Sequence, residues 1–384
     1  MRRINLRAAG MVAVAAGLVV ATAACQSGSP TDPDDAASCG GKIATIGAFS
    51  GDNAGLVIPS LNGAKLAIKE HNDANPDCQI TMEEFDSQGS GDTAVPFAQQ
   101  IVQDSSFLGV IGGHFSGETA ATAPIFDGAG VAMVSPSATR LDLTDSGWAV
   151  FHRVVGNDGT QGRAVAAYLV AQDAAKVFTI DDGSPYGAGI VDELKAAVGT
   201  DVEVESDKVQ EEQQEFSTLV GKVQASGADY IFYGGYTREA APLIRQLRDA
   251  GVDTPFIGPD GLYDPGFAEG AGGAAEGAII TCPCLPAEEA GGTFAADFEA
   301  EYGEAPGSYG AEGYDAATIF IEALKSGADT REAVLAFVND YDAQGVSKYI
   351  AFDENGDVDP SRVVIWSYQI EGTDFVPLEP LSLS

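Results

Sequence analysis

Short apolar runs rich in β-branched residues alternate, from residue 42 to residue 370, with longer segments whose apolar residues recur at helical spacing. The clearest stretch is 109–144. Its two apolar runs, 109–112 and 131–134, each lead into small polar residues: Ser116-Gly117-Glu118-Thr119 after the first, Ser135-Pro136-Ser137-Ala138-Thr139 after the second. Between them lies an alanine-rich segment, 119–127, stopped by Gly128 and Gly130. Strand, turn, helix, strand, turn is the repeat of an open parallel sheet. In such sheets ligands occupy the crevice beyond the carboxyl ends of the strands, where Ser116, Thr119, Ser137 and Thr139 fall. Hydroxyls and free N–H groups at helix N-termini suit a carboxylate. Taken singly, each of these residues is also an ordinary N-cap. Glu118, in the first turn of its helix, reads as a surface residue favoured by the helix dipole.

The same rhythm predicts strands at 42–49 and 80–85 and helices at 61–72 and 94–104 ahead of this stretch. Residues 148–155 read as an extended connector, and then the pattern restarts. Helices are expected at 159–173, 187–198, 216–225 and 238–250, with strands at 176–180, 202–205, 230–233 and 256–257. Three of these strands end in Asp181-Asp182-Gly183-Ser184-Pro185-Tyr186, Gly234-Gly235-Tyr236-Thr237 and Gly258-Pro259-Asp260-Gly261. Two rounds of βα units imply an α/β protein with two similar lobes. Further helices are expected at 293–302, 314–326 and 331–341, then strands at 349–352 and 362–370 around an Asn355-Gly356 hairpin turn. A closing segment that returns to an earlier lobe would give several crossings, and so a hinge with a cleft beside it.

The start of the chain bears on where the protein works. Arg2, Arg3 and Arg7 precede an uncharged run of small and apolar residues, 8–24, which is the layout of a secretory signal. The run is too short and alanine-rich for a membrane span. It ends Thr22-Ala23-Ala24-Cys25, which resembles a bacterial lipobox, with Cys25 lipidated as the first mature residue. The polar residues that follow then serve as a tether. Ordinary cleavage would instead leave Cys25 an unpaired thiol in an oxidising compartment.

Four other cysteines remain, Cys39, Cys78, Cys282 and Cys284, an even number that suggests disulfides with three possible pairings. Cys39 and Cys78 precede the first two strands, so a bond between them is geometrically reasonable. Cys282-Pro283-Cys284 either closes on itself or stays reduced. The three histidines form no zinc set with these cysteines, and His114 and His152 read as structural. The acidic run from Asp353 to Asp359 has its glycine misplaced for a calcium loop. Neither metal nor cofactor is expected. With 57 acidic and 20 basic residues the chain carries a formal charge of −37, which repels nucleic acid. A nucleophile elbow, a phosphate loop, a dinucleotide fingerprint and a His-Glu-x-x-His helix are all missing from the sequence, which argues against an enzyme.

Six pieces in order carry a resemblance: Ile46-Gly47-Ala48-Phe49-Ser50-Gly51, Val110-Ile111-Gly112-Gly113-His114, Ser135-Pro136-Ser137-Ala138-Thr139, Phe216-Ser217-Thr218-Leu219-Val220, Phe232-Tyr233-Gly234-Gly235-Tyr236 and Gly258-Pro259-Asp260-Gly261. The chain resembles the periplasmic leucine/isoleucine/valine-binding proteins, the substrate-binding subunits of branched-chain amino acid ABC transporters. The resemblance implies two Rossmann-like lobes joined by three crossovers, near 152–156, 281–285 and 362–365. On that reading 1–24 is the signal peptide and 25–41 the lipidated cysteine and tether. Residues 42–153 with 283–362 form the N-terminal lobe, and 154–282 with 363–384 the C-terminal lobe. It also implies a ligand set. Ser116 and the N–H of Thr139 would meet an α-carboxylate. The carbonyl of Ser137, the hydroxyl of Thr139 and the carboxylate of Asp260 would meet an ammonium, with Tyr186 and Tyr236 closing from the second lobe. Leu56 falls where the leucine-binding member has a tyrosine over the ligand, Phe115 replaces a cysteine of its disulfide, and Asp260 stands where Glu is common. The implied partners are a small-molecule ligand, an ABC permease and the membrane through a lipid anchor, with the protein a monomer that performs no turnover. The alternative is the same fold binding an amide, an aromatic acid or a sugar, for uptake or sensing.

Overall fold

The computed structural model describes residues 39–382. The signal segment, Cys25 and residues 26–38 of the tether lie outside the described residues. In chain order the first elements are β1 (Gly41–Gly47), α1 (Ala54–Ala74), β2 (Ile80–Asp86), α2 (Gly91–Gln103), β3 (Phe107–Ile111), α3 (Ser116–Asp127), β4 (Ala132–Ser135), α4 (Asp142–Asp145) and β5 (Phe151–Arg153). The second round comprises α5 (Asp158–Ala171), β6 (Lys176–Asp181), α6 (Pro185–Val198), β7 (Glu203–Lys208), α7 (Ser217–Ser226), β8 (Tyr230–Gly234), α8 (Thr237–Asp249), β9 (Phe256–Gly258), α9 (Pro265–Ala271) and β10 (Ile279–Cys282). Then come α10 (Phe294–Tyr302), α11 (Gly310–Lys325), α12 (Arg331–Asn339), β11 (Asp342–Gln344), β12 (Tyr349–Ala351), β13 (Trp366–Glu371) and β14 (Asp374–Pro377).

Two sheets result. The first is wholly parallel in the order β2-β1-β3-β4-β5. The second runs β14-β13-β10-β9-β8-β6-β7, with β13 antiparallel to both β10 and β14 and the remaining pairs parallel. Alternate residues of each strand face opposite helix layers. Ile43, Ile111 and Val134 join α1 and α11 residues such as Ala64, Ala67 and Phe320, while Ala44, Val110 and Met133 join Ala98 and Ile101 of α2 and Phe126 of α3. In the second sheet Phe178, Ile231 and Tyr233 pack with α7, α8 and α9, and Val177, Phe232 and Ile257 with α5 and α6. A strand buried on both faces reads as a continuous apolar run, which is why the sequence showed these strands so clearly.

The chain passes between the sheets three times: after β5, after β10 and before β13. The three passages touch. A Cβ on Gly156 would lie 2.4 Å from Cγ1 of Val363 and 3.4 Å from Cβ of Pro283, so only glycine lets the passages lie this close. Lys348 donates to the carbonyl of Val154 at 3.0 Å and to Glu312 at 2.9 Å, and Glu312 also accepts from the N–H of Leu285 at 3.2 Å. That buried ion pair ties the first passage to the second.

Cys39 and Cys78 are joined across a Cα separation of 4.8 Å, and Cys282 and Cys284 across 5.0 Å, the latter at the second passage. Some expectations need correcting. Within 148–155, expected to be a connector, residues 151–153 hydrogen-bond to β4 as the fifth strand of the first sheet. The segment 362–370 is not one strand: a short helical turn, Pro360–Arg362, precedes the third passage and β13 starts only at Trp366. The turn before it forms around Asp353, which accepts from the N–H groups of Asn355 and Asp357. Among the described residues, no helix is long and apolar enough to cross a membrane.

Candidate functional site

In each sheet the strand order reverses beside a central pair, β1 and β3 in the first and β6 and β8 in the second. Loops leaving such neighbouring strands in opposite directions open a crevice. Here the crevices face one another across a gap lined by Leu56, His114, Phe115, Ser116, Ser137, Tyr186, Tyr236, Asp260 and Tyr309. The gap is closed. Only about 10 Å³ of cavity remains between its walls, room for barely one water. That falls below the roughly 300–1,000 Å³ of sites for drug-sized molecules. One apolar cluster bridges the lobes here, with Leu56, Phe115 and Tyr309 among residues of the second sheet. Phe115 meets Tyr236 edge to face at 5.4 Å. Nearer solvent, Arg238 reaches Asp52 at 3.6 Å.

Asp260 follows β9 and is 3% exposed. Its Oδ1 accepts from the hydroxyl of Tyr186 at 2.7 Å and its Oδ2 from that of Tyr309 at 2.6 Å. Tyr186 rides the first turn of α6, while Tyr309 enters from the other lobe just before α11. A carboxylate has about four lone-pair positions, so the two tyrosines leave capacity for a ligand's N–H group. Burial raises the Asp260 carboxyl above its ordinary range, opposed by the hydrogen bonds from Tyr309 and Tyr186. A cation brought beside it would relieve that cost.

On the opposite wall Ser116 opens α3, whose first-turn N–H groups have no carbonyl four residues back. Ser116 Oγ accepts from the N–H of Arg140 at 3.2 Å, which ties the α3 terminus to the loop after β4. In that loop Ser137 donates to the carbonyl of His114 at 2.9 Å. Thr139 does not line the gap directly; it is fully buried, with its hydroxyl beside Asp158. The loop is held from behind by Arg153. This fully buried guanidinium donates to the carbonyls of Ala138 at 3.2 Å and Arg140 at 2.7 Å and pairs with Asp357.

Of the six ligand residues implied by resemblance, Ser116, Ser137, Tyr186, Tyr236 and Asp260 therefore meet at one gap, with Thr139 behind it. Three further residues were missed. Tyr309 has no local motif and reaches the gap only through the tertiary fold. Asp158, at the start of α5, is fully buried beside Asp260; its N–H donates to the carbonyl of Thr139 at 2.8 Å, and the Thr139 hydroxyl lies beside its carboxyl group. Burial first, then the charge of Asp260, pushes its carboxyl up to about 8. The Asp-x-x-Gln spacing to Gln161, whose Oε1 is unpartnered among the described residues, was the available signal. His114, expected to be structural, lines the gap.

The surface reading of Glu118 is also corrected. Glu118 is fully buried, accepting from the hydroxyl of Ser87 and from the N–H groups of His114 at 2.8 Å and Phe115 at 3.4 Å. Its position three residues beyond the N-cap lets the side chain fold back on the loop that carries the site. Burial pushes this carboxyl up to about 7. No group of three His, Cys, Asp or Glu side chains among the described residues is arranged to hold a metal ion.

Known proteins share this architecture. A periplasmic binding protein family model matches residues 41–364. The leucine-specific-binding protein of Salmonella typhimurium is 29% identical over 344 residues, covering 87% of this chain and 92% of that protein. The Leu/Ile/Val-binding protein of Citrobacter freundii is 33% identical over 249 residues, 63% of this chain and 67% of its own. Among solved structures, the branched-chain amino acid transporter substrate-binding protein of Streptococcus pneumoniae, in complex with isoleucine, superposes with a TM-score of 0.80 at 25% identity, covering 88% of this chain and 99% of that one. The chain belongs to the periplasmic binding protein family.

Proposed function

We propose that this chain is the extracytoplasmic substrate-binding component of an ABC importer, that it carries an amino acid, and that binding and closure are its whole activity. The observation that carries this reading is the closed gap, with a buried carboxylate, Asp260, on one wall and Ser116 at a helix N-terminus on the other. A zwitterion leaving water needs both charges matched, because an unpaired buried charge costs several kcal/mol. A wall of N–H and O–H donors facing a carboxylate supplies both halves. The names of the relatives make the branched-chain amino acids the first ligands to test.

Closure works by differential affinity: the ligand touches both lobes only when they meet, so it favours the closed state by the free energy of binding two walls rather than one. The moving bodies are residues 42–153 with 283–362 and residues 154–282 with 363–384, turning about the contact of Gly156, Pro283 and Val363. The closed protein then presents one surface of each lobe to a permease. Cys25 provides the lipid anchor and the tether its reach, with the protein a monomer. Thermal-shift and calorimetric titration with leucine, isoleucine, valine and the other free amino acids tests the reading: at least one must bind and raise the melting temperature. Response only to sugars, amides or aromatic acids would overturn it. Cys25→Ala should move the protein from the membrane to the soluble fraction, and unchanged membrane association would remove the anchor.

A further inference from the structure

His114 places a buried, unpartnered nitrogen on the part of the gap wall that the ligand's charged ends do not use. With Asp260 and the Ser137 carbonyl assigned to the ammonium and the Ser116 turn to the carboxylate, the rest of the wall is Leu56, Phe115 and the rings of Tyr236 and Tyr309, apart from this imidazole. The ring is firmly placed. Its backbone N–H donates to Glu118 and its carbonyl accepts from Ser137. Phe49 stands edge-on to it at 6.3 Å. Gly47 makes room behind it, since a Cβ there would lie 2.5 Å from the ring's Cδ2. The ring's Nδ1 lies 3.4 Å from the hydroxyl of Ser137, which is already committed to the His114 carbonyl. Nε2 has no partner among the described residues, although the side chain is 3% exposed. Burial holds the imidazole neutral, down to about 3, so it offers one N–H and one bare nitrogen rather than a charge.

A pocket meant only for an aliphatic side chain gains nothing from an unpartnered imidazole in its wall and loses the hydration of that nitrogen. We propose that His114 is a specificity-determining residue that selects amino acids whose neutral side chain carries a hydrogen-bonding group, a hydroxyl or an amide, over aliphatic ones of the same shape. This rests on the amino-acid reading above and deepens it. The imidazole can donate or accept according to tautomer, so either group can satisfy it.

The test uses near-isosteric pairs, threonine against valine and asparagine against leucine, titrated calorimetrically into the full protein and into His114→Leu and His114→Gln. In the wild type the polar member of at least one pair should bind about tenfold more tightly, the worth of one buried hydrogen bond. His114→Leu should reverse that order, and His114→Gln, which keeps a hydrogen-bonding group, should preserve it. Wild-type preference for valine and leucine in both pairs overturns the proposal while leaving the amino-acid reading standing. An order unchanged in a folded His114→Leu overturns it too. Failure of any amino acid to bind overturns both.

Discussion

Replacing Asp260 with asparagine isolates the charge at the heart of the site. The amide keeps the shape of the carboxyl group, and its oxygen can still accept from one of the two tyrosine hydroxyls, now 2.7 and 2.6 Å away. What disappears is the negative charge facing the ligand's ammonium. Removing one partner of a buried ion pair costs about 3–5 kcal/mol, because the other charge stays buried and uncompensated. Asp158, buried close by, supplies part of the lost compensation once the ammonium draws off its proton, which places the expected loss at the lower end. About 3 kcal/mol is roughly a hundredfold in affinity.

The ligand-free protein should respond in the opposite sense. Burial penalises the ionised Asp260 carboxylate in the absence of a cation, and an amide escapes that penalty. Asp260→Asn should therefore be at least as stable as the wild type in denaturant titration while binding far less well in calorimetry with leucine or whichever amino acid the screen finds. Tyr309→Phe is the companion: it removes one donor from Oδ2 but keeps the charge, and should change affinity by tenfold or less. Asp260→Asn affinity within threefold of wild type would show that the ammonium is held elsewhere, and the reasoning from Asp260 would fail.

Asp158 gives a pH-dependent counterpart. Its carboxyl rises from 3.8 in the unfolded chain to about 8 in the fold, beside Asp260, Arg153 and Glu193, so the native state holds the extra proton. The associated stability is complete below about pH 4 and is lost as pH climbs through about 8. Asp158→Asn should flatten that part of the ligand-free stability profile between pH 5 and 8, and parallel profiles for variant and wild type would refute the assignment. Gly156→Ala forces a Cβ to within 2.4 Å of Val363 where the three passages meet, and should cost about 1–3 kcal/mol by denaturant titration, with slower or incomplete closure by small-angle scattering; an unaffected variant would move the hinge elsewhere. Cys39→Ser with Cys78→Ser opens a loop of 39 residues, for which the chain-entropy relation gives a loss of about 4 kcal/mol, checked by denaturation of the double variant against the oxidised protein.

The parts of the site legible in the sequence share one physical signature. Strands buried on both faces announce themselves as apolar runs, and the carboxyl ends of β3, β4, β8 and β9 must then turn with small or polar residues, so Ser116, Ser137, Tyr236 and Asp260 stood out as strand ends before any fold was known. Elements without that signature stayed hidden: α9 is made of Pro-Gly-Phe-Ala-Glu-Gly-Ala, and β14 is a four-residue edge strand. The illegible part of the site consists of residues whose role depends on what surrounds them. Glu118 has the sequence context of an exposed first-turn acid, yet the Ser87 hydroxyl from another loop meets it and the fold covers it completely. Tyr309 sits 49 residues from Asp260 and finds it only because the chain recrosses to the first lobe. Asp158 is buried against a second carboxyl group, Asp260, and the fold provides no partner for Nε2 of His114 among the described residues. Buried polar groups are otherwise almost always satisfied. A sequence displays donors and acceptors but not which of them meet, so the residues that would speak most directly about the ligand become visible only when every hydrogen bond in the closed gap has been assigned.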